Sequence, residues 1–124
     1  MKDCIFCKIA SGNIESKVIY EDNLVKVFLD VNPESNGHSL IIPKKHFKDI
    51  DDIDPETLLH IFKTAKNIKK IIYNKLNCDG ITLIQNNGDC QEIKHFHLHL
   101  RPYYKNKEKK EIEEIYKLLM DNDN

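Results

Sequence analysis

"HFHLHLRP", residues 95–102, sets His95, His97 and His99 on alternate positions with Phe96, Leu98 and Leu100 between and after them. A period of two belongs to a β-strand, whose successive side chains point to opposite faces. The stretch therefore predicts a strand with three imidazoles on one face and apolar side chains turned into a core on the other. Adjacent same-face imidazoles repel one another when protonated, so at least some are expected to be neutral. Neutral imidazoles offer two chemistries. All three can ligate a catalytic zinc with an open position for water, or one can attack phosphorus while its neighbours orient it and manage protons. A single histidine on a strand is ordinarily a solvated bystander, and it is the strict alternation that asks for a function.

The elements around this strand follow from pattern. "DCIFCKIASG" places Ile5, Phe6 and Ile9 on one side with Gly12 just beyond, a short amphipathic helix closed by glycine. "KVIYEDNLVKVFLD" reads as two strands joined in a hairpin around Glu21, Asp22 and Asn23, and "HSLIIP" as a third strand ended by Pro43. The stretch "DPETLLHIFKTAKNIKKIIYNKL" carries Leu58, Ile61, Phe62, Ala65, Ile68, Ile72 and Leu76 near a 3.6 period, with Asp54 and Pro55 at N-cap and first-turn positions. This is the main helix. "GITLIQN" predicts a fourth strand, the turn-like "NNGD" precedes the histidine strand, and a C-terminal helix over about 107–120 aligns Ile112, Ile115, Tyr116 and Leu119. Strands and helices in this order indicate an α+β fold with a five-stranded antiparallel sheet.

The 124 residues suit one domain spanning 1–124. With 19 basic and 20 acidic residues the net charge is −1, which gives no polyelectrolyte signature for long nucleic acid or an anionic membrane. The chain runs into Cys4 without a charged and then apolar leader, and no apolar run approaches a membrane span, so a cytoplasmic location is expected. In that reducing compartment the four cysteines are expected to be metal ligands or core residues rather than a disulfide framework.

"HFHLHLRP" resembles the signature of the histidine triad (HIT) family, three histidines alternating with apolar residues, apart from Arg101 at its last position. "CIFCKI", "VFLDVNPESNGHSLIIPKKH" and "QNNG" occur in the order shown by its small Hint-like branch with an N-terminal CxxC, so the similarity spans roughly residues 3–104. The resemblance implies a nucleotidyl hydrolase or transferase acting at the α-phosphate of purine nucleotide conjugates of the adenosine phosphoramidate type. His97 would be the nucleophile that forms a nucleotidyl-histidine, with His99 and His38 flanking the phosphate. It further implies a base slot of Ile5, Phe6, Ile9, Phe28 and Val31, a ribose contact at Asp30, and a homodimer. A carboxylate with two acceptor oxygens suits a vicinal diol. Asn86 or Asn87 beside Gly88 can donate to the phosphate, and family position favours Asn86. Alternatives are a dinucleoside polyphosphate hydrolase and a nucleotide-binding or scaffold protein with incidental hydrolysis.

Cys4 and Cys7 form CxxC, which by itself fits redox chemistry as well as zinc. The same resemblance closes the set with His46 and His95, a Cys2His2 combination that matches structural zinc without organic cofactor. His95 would then serve a metal, and His97 and His99 the phosphate. Two departures from the family bear on activity: "DCQEIK" makes the turn before the triad two residues shorter than usual with Cys90 in place of glycine, and Arg101 and Tyr103 stand where an apolar residue and an arginine are common.

Overall fold

In the computed structural model, which describes residues 3–106 and 108–121, the chain runs α1 (Ile5–Ser11), β1 (Val18–Glu21), β2 (Val25–Leu29), β3 (Ser39–Pro43) and α2 (Pro55–Leu76). It continues through β4 (Gly80–Ile84), a 3-10 turn (Gly88–Cys90), β5 (Leu98–Tyr103) and α3 (Ile112–Met120). The strands form one antiparallel sheet in the order β1-β2-β3-β5-β4, the α+β arrangement that the sequence pattern indicates.

Local chemistry sets the boundaries. Asp22 Oδ1 accepts from the N–H groups of Leu24 and Val25 at 2.8 and 2.9 Å, an Asx turn that closes the β1–β2 hairpin. Asp54 caps α2 by accepting from the Thr57 N–H at 3.1 Å, with Pro55 in the first turn. Such a cap contributes about 1 kcal/mol. Gly12, at φ 87°, ends α1 in the left-handed region where glycine has no Cβ penalty.

The period-two alternation divides the sheet into two faces. Val25, Val27 and Leu29 of β2, Ile41 of β3 and Phe96, Leu98 and Leu100 around β5 pack with Ile61, Ala65, Ile68 and Ile72 of α2 and Ile115 and Leu119 of α3. On the opposite face Phe28, Leu40 and Ile42 pack under Phe6 and Ile9 of α1. The side chains at 95, 97, 99 and 101 belong to this second, thinly covered face, which positions the site. Lys26 also lies on it, buried, and its ammonium donates to the Ile9 carbonyl at 2.8 Å, tying the C-terminal turn of α1 to the sheet.

Three sequence expectations are corrected. The histidine strand begins at Leu98, because its pairing with β3 covers only Leu98–Leu100. The Phe96 N–H donates instead to the Phe47 carbonyl at 2.6 Å, after Pro43 has ended β3. Phe62 leaves the apolar stripe of α2: it is 41 % exposed, while Thr57 and Thr64 take buried positions on the helix. The C-terminal helix begins at Ile112 rather than near 107; residue 107 is outside the described residues, and Glu108–Lys110 are not helical.

Candidate active site and metal centre

His97 and His99 stand side by side on the α1 face of the sheet with ring centres 5.0 Å apart, and His38, at the entry to β3, is 5.2 Å from His99. Asp30, just past β2, donates its N–H to the His38 carbonyl at 2.9 Å, and its Oδ2 lies 3.6 Å from His38 Nε2. The ends of three strands thus converge on one cavity of about 670 Å³ whose walls include Phe6, Ile9, Phe28 and Asn86.

Hydrogen bonds fix which ring nitrogen carries each proton. His97 Nδ1 is 2.8 Å from the His95 carbonyl, an acceptor, so Nδ1–H donates there and Nε2 keeps the lone pair. The Glu34 N–H donates to His38 Nδ1 at 3.0 Å, so His38 bears its proton on Nε2. That Nε2–H donates to His99 Nδ1 at 3.0 Å and leaves the His99 proton on Nε2. The chain of donors runs Glu34 to His38 to His99 and requires both imidazoles to be neutral.

Electrostatics agree. Burial holds His97 below the ordinary imidazole range, and burial, with the nearby Arg101 charge, does the same to His38 against the pull of Asp30. His99 is pushed down to about 4, by burial first and then by His97 and His38. Followed by the NMR shift of its ring protons, His99 should stay neutral through pH 6.5 and take up a proton only near pH 4. The unfolded chain binds that proton near 6.5, so this contribution to stability is complete above 6.5 and is lost as the pH falls toward 4. A ring titrating at its ordinary value would contradict the hydrogen-bond assignment.

The residues expected to form a base slot do border this cavity. Phe6 is its centre: its ring meets Phe28 edge-on at 5.8 Å and His97 at 5.0 Å. Ile9 and Phe28 are buried beside it, whereas Ile5 is exposed at the rim and Val31 is 76 % exposed, so the slot is open on that side. Asn86 lines the cavity; Asn87 does not, since its Oδ1 accepts from the Ile50 N–H at 2.9 Å and holds another loop. Sequence reasoning missed Ile14 and Ile93, which pack against the Phe6 cluster and complete the wall. It also missed Lys26, whose burial no alternation rule anticipates in a lysine.

His95 is separate from this chemistry. Its Nδ1 lies 3.4 and 3.5 Å from the Cys4 and Cys7 sulfurs, and Cys7 Sγ lies 3.2 Å from His46 Nδ1. The four donor atoms all fall within 4.8 Å of one another. Zinc bonds of about 2.0–2.3 Å in a tetrahedron separate ligand atoms by about 3.3–3.8 Å, close to the spacing seen here. The residues therefore fit a tetrahedral metal. His95 Nε2–H donates to the Pro43 carbonyl at 2.8 Å, which fixes the tautomer that presents Nδ1. With both its nitrogens engaged, His95 has none to share with His97 and His99, so the alternative of three imidazoles on one catalytic metal is not built. All four cysteines are free thiols; Cys78 is buried in the core and Cys90 is exposed at the cavity edge.

A family model for the HIT domain matches residues 11–106. An adenosine 5'-monophosphoramidase of Saccharomyces cerevisiae is 40 % identical over 101 residues, 80 % of this chain and 61 % of that protein. An adenylylsulfatase of Arabidopsis thaliana is 37 % identical over 102 residues, 81 % of this chain and 52 % of that protein. The crystal structure of a zinc-bound histidine triad family protein from Mycobacterium smegmatis superposes with a TM-score of 0.89 at 32 % identity, covering 96 % of this chain and 91 % of that one. The alternating histidines, the strand ends that gather them and the match over most of its length place this chain in the HIT family.

Proposed function

We propose that the protein hydrolyses purine nucleotide conjugates at the α-phosphate, of the adenosine phosphoramidate type, through a nucleotidyl-histidine on His97. The observation that carries this reading is the Nδ1–H donated to the His95 carbonyl, which keeps the Nε2 lone pair free on a ring that lines the cavity. In the first step Nε2 bonds to the α-phosphorus as the bond to the leaving amine breaks, and the amine departs with the bonding pair and a proton. In the second, water adds its oxygen to phosphorus, the P–N bond breaks, and nucleoside monophosphate leaves. His99 and His38, linked by their hydrogen bond, orient the phosphate and exchange these protons. Asn86 donates to the phosphate oxygens, Asp30 accepts from the ribose hydroxyls, and Phe6, Ile9 and Phe28, with Ile5 and Val31 at the rim, hold the base.

The yeast relative's description as a monophosphoramidase supports this reading. Incubation with adenosine 5'-phosphoramidate should release AMP and ammonia together, faster than a diadenosine polyphosphate releases AMP. Nucleotide binding without turnover of either compound would overturn it in favour of a binding protein.

Cys4, Cys7, His46 and His95 would hold a structural zinc, with all four positions taken by protein and no water to activate. A homodimer and a cytoplasmic setting belong to the same reading; among the described residues no helix is long and apolar enough to cross a membrane. The edge strand β4 carries Leu83, 44 % exposed, on a sheet edge that self-pairing would cover, and α2 separately exposes Leu59 and Phe62. Sedimentation should give a dimer, and Leu83→Asp should shift it to monomer. A monomeric wild type would overturn this part.

A further inference from the structure

Arg101 stands two residues past His99 on β5 and so continues the line of His97 and His99 on one face, at steps of about 7 Å. Among the described residues that border the His97 cavity it is the one lysine or arginine, in a lining that also includes Glu15, Asp30, Glu34 and Glu92. None of these approaches it within ion-pair distance. Its Nε–H is buried and has no acceptor among the described residues. The same side chain borders a second cavity of about 350 Å³, shared with Glu34, Tyr103, Tyr104 and Lys109, so it stands between the His97 cavity and a neighbouring space that could take a group attached to the phosphate. A guanidinium is a permanent cation with donors in a fork that matches tetrahedral oxyanions. The buried Nε–H, left without an acceptor, is a donor that a bound anion would satisfy.

We propose that Arg101 is a specificity residue that speeds the release of a tetrahedral oxyanion, sulfate or phosphate, more than the release of an amine, and so widens the substrate range beyond phosphoramidates. This rests on the hydrolase reading above and refines its substrate class. The step balances without an acid: the Nε2–P bond forms, the bond from phosphorus to the bridging oxygen breaks, and the pair departs on that oxygen, where Arg101 stabilises the charge. Sulfate leaves as a dianion and takes no proton. An amine must collect a proton on departure, which a guanidinium does not supply, and it offers no negative charge for Arg101 to meet.

The test compares kcat/KM for adenosine 5'-phosphosulfate, ADP and adenosine 5'-phosphoramidate in wild type, Arg101→Leu and Arg101→Lys. A charge-assisted hydrogen bond corresponds to about tenfold to hundredfold in rate. The phosphosulfate-to-phosphoramidate ratio, the ADP-to-phosphoramidate ratio, or both should fall at least about tenfold in Arg101→Leu and recover in part in Arg101→Lys. A fall confined to one of them identifies the oxyanion as sulfate or as phosphate. If all three substrates lose rate equally, Arg101 acts on the α-phosphate or on folding and the inference is overturned, as it is if the ratios do not move. A wild type that turns over none of the three would instead overturn the hydrolase reading itself.

Discussion

His97→Ala is expected to lower kcat/KM for adenosine 5'-phosphoramidate by about a thousandfold or more, because in the proposed mechanism it removes the atom that bonds to phosphorus. The loss of fold should be small by comparison. The ring's hydrogen bond to the His95 carbonyl is of a kind that contributes about 1 kcal/mol, while Phe96 and Leu98 on either side remain in the core. His99→Asn should cost less, about a hundredfold, since it disturbs proton management and the His38 bond but leaves the nucleophile in place. Steady-state kinetics on variants whose circular dichroism matches wild type make the comparison. An alanine variant retaining a tenth of wild-type activity would exclude His97 as the nucleophile.

Removing the zinc proposed at Cys4, Cys7, His46 and His95 should act on stability and on base binding rather than on the bond-making step. The helix α1 is seven residues long, too short to persist alone, and is held to the sheet by Phe6 and Ile9, by Lys26 and by the Cys4, Cys7, His46 and His95 cluster. Without a metal, burial and the neighbouring Cys4 push the Cys7 thiol up to about 11. A bound dication reverses this, so that both sulfurs ligate as thiolates and metal affinity falls in acid. Purified protein should contain stoichiometric zinc. Chelation, or Cys7→Ser, should lower the melting midpoint by about 10 °C or more, the size expected from losing about 3 kcal/mol in a domain of this length. KM for the nucleotide should rise more than kcat falls, because Phe6 leaves the slot with α1. An unchanged midpoint after chelation and in Cys7→Ser would remove the structural metal from this picture.

Much of this architecture was legible because the same alternation recurs on three strands. Residues 25, 27 and 29, residue 41, and residues 96, 98 and 100 share one face, so the His97 and His99 side had to be the other. The α2 cap at Asp54 and the glycine after α1 were likewise local signals with local causes. What pattern could not reach depends on tertiary pairing. Nothing in "HFHLHLRP" reveals that the ladder stops at Leu98, since that follows from Pro43 ending the neighbouring strand and Phe47 taking the Phe96 N–H. Phe62 matches a helical stripe as well as Ile61 does, yet Ile61 is fully buried under the sheet while Phe62 stays exposed. The division of His95 from His97 came from family resemblance alone, and in the structure it has a physical basis: both nitrogens of His95 are engaged before the active site begins. Lys26 was invisible because its role is to satisfy a helix-terminal carbonyl far away in sequence.

The most direct measurement is intact-protein mass spectrometry after millisecond mixing with adenosine 5'-phosphoramidate and a non-acidic quench, on wild type and His97→Ala in parallel. Covalent catalysis through His97 requires a transient adduct of one nucleotidyl group on the wild type, mapping to the peptide that carries His97, and none on the variant. Steady AMP release with no adduct at any mixing time, or an adduct that persists in His97→Ala, would contradict it.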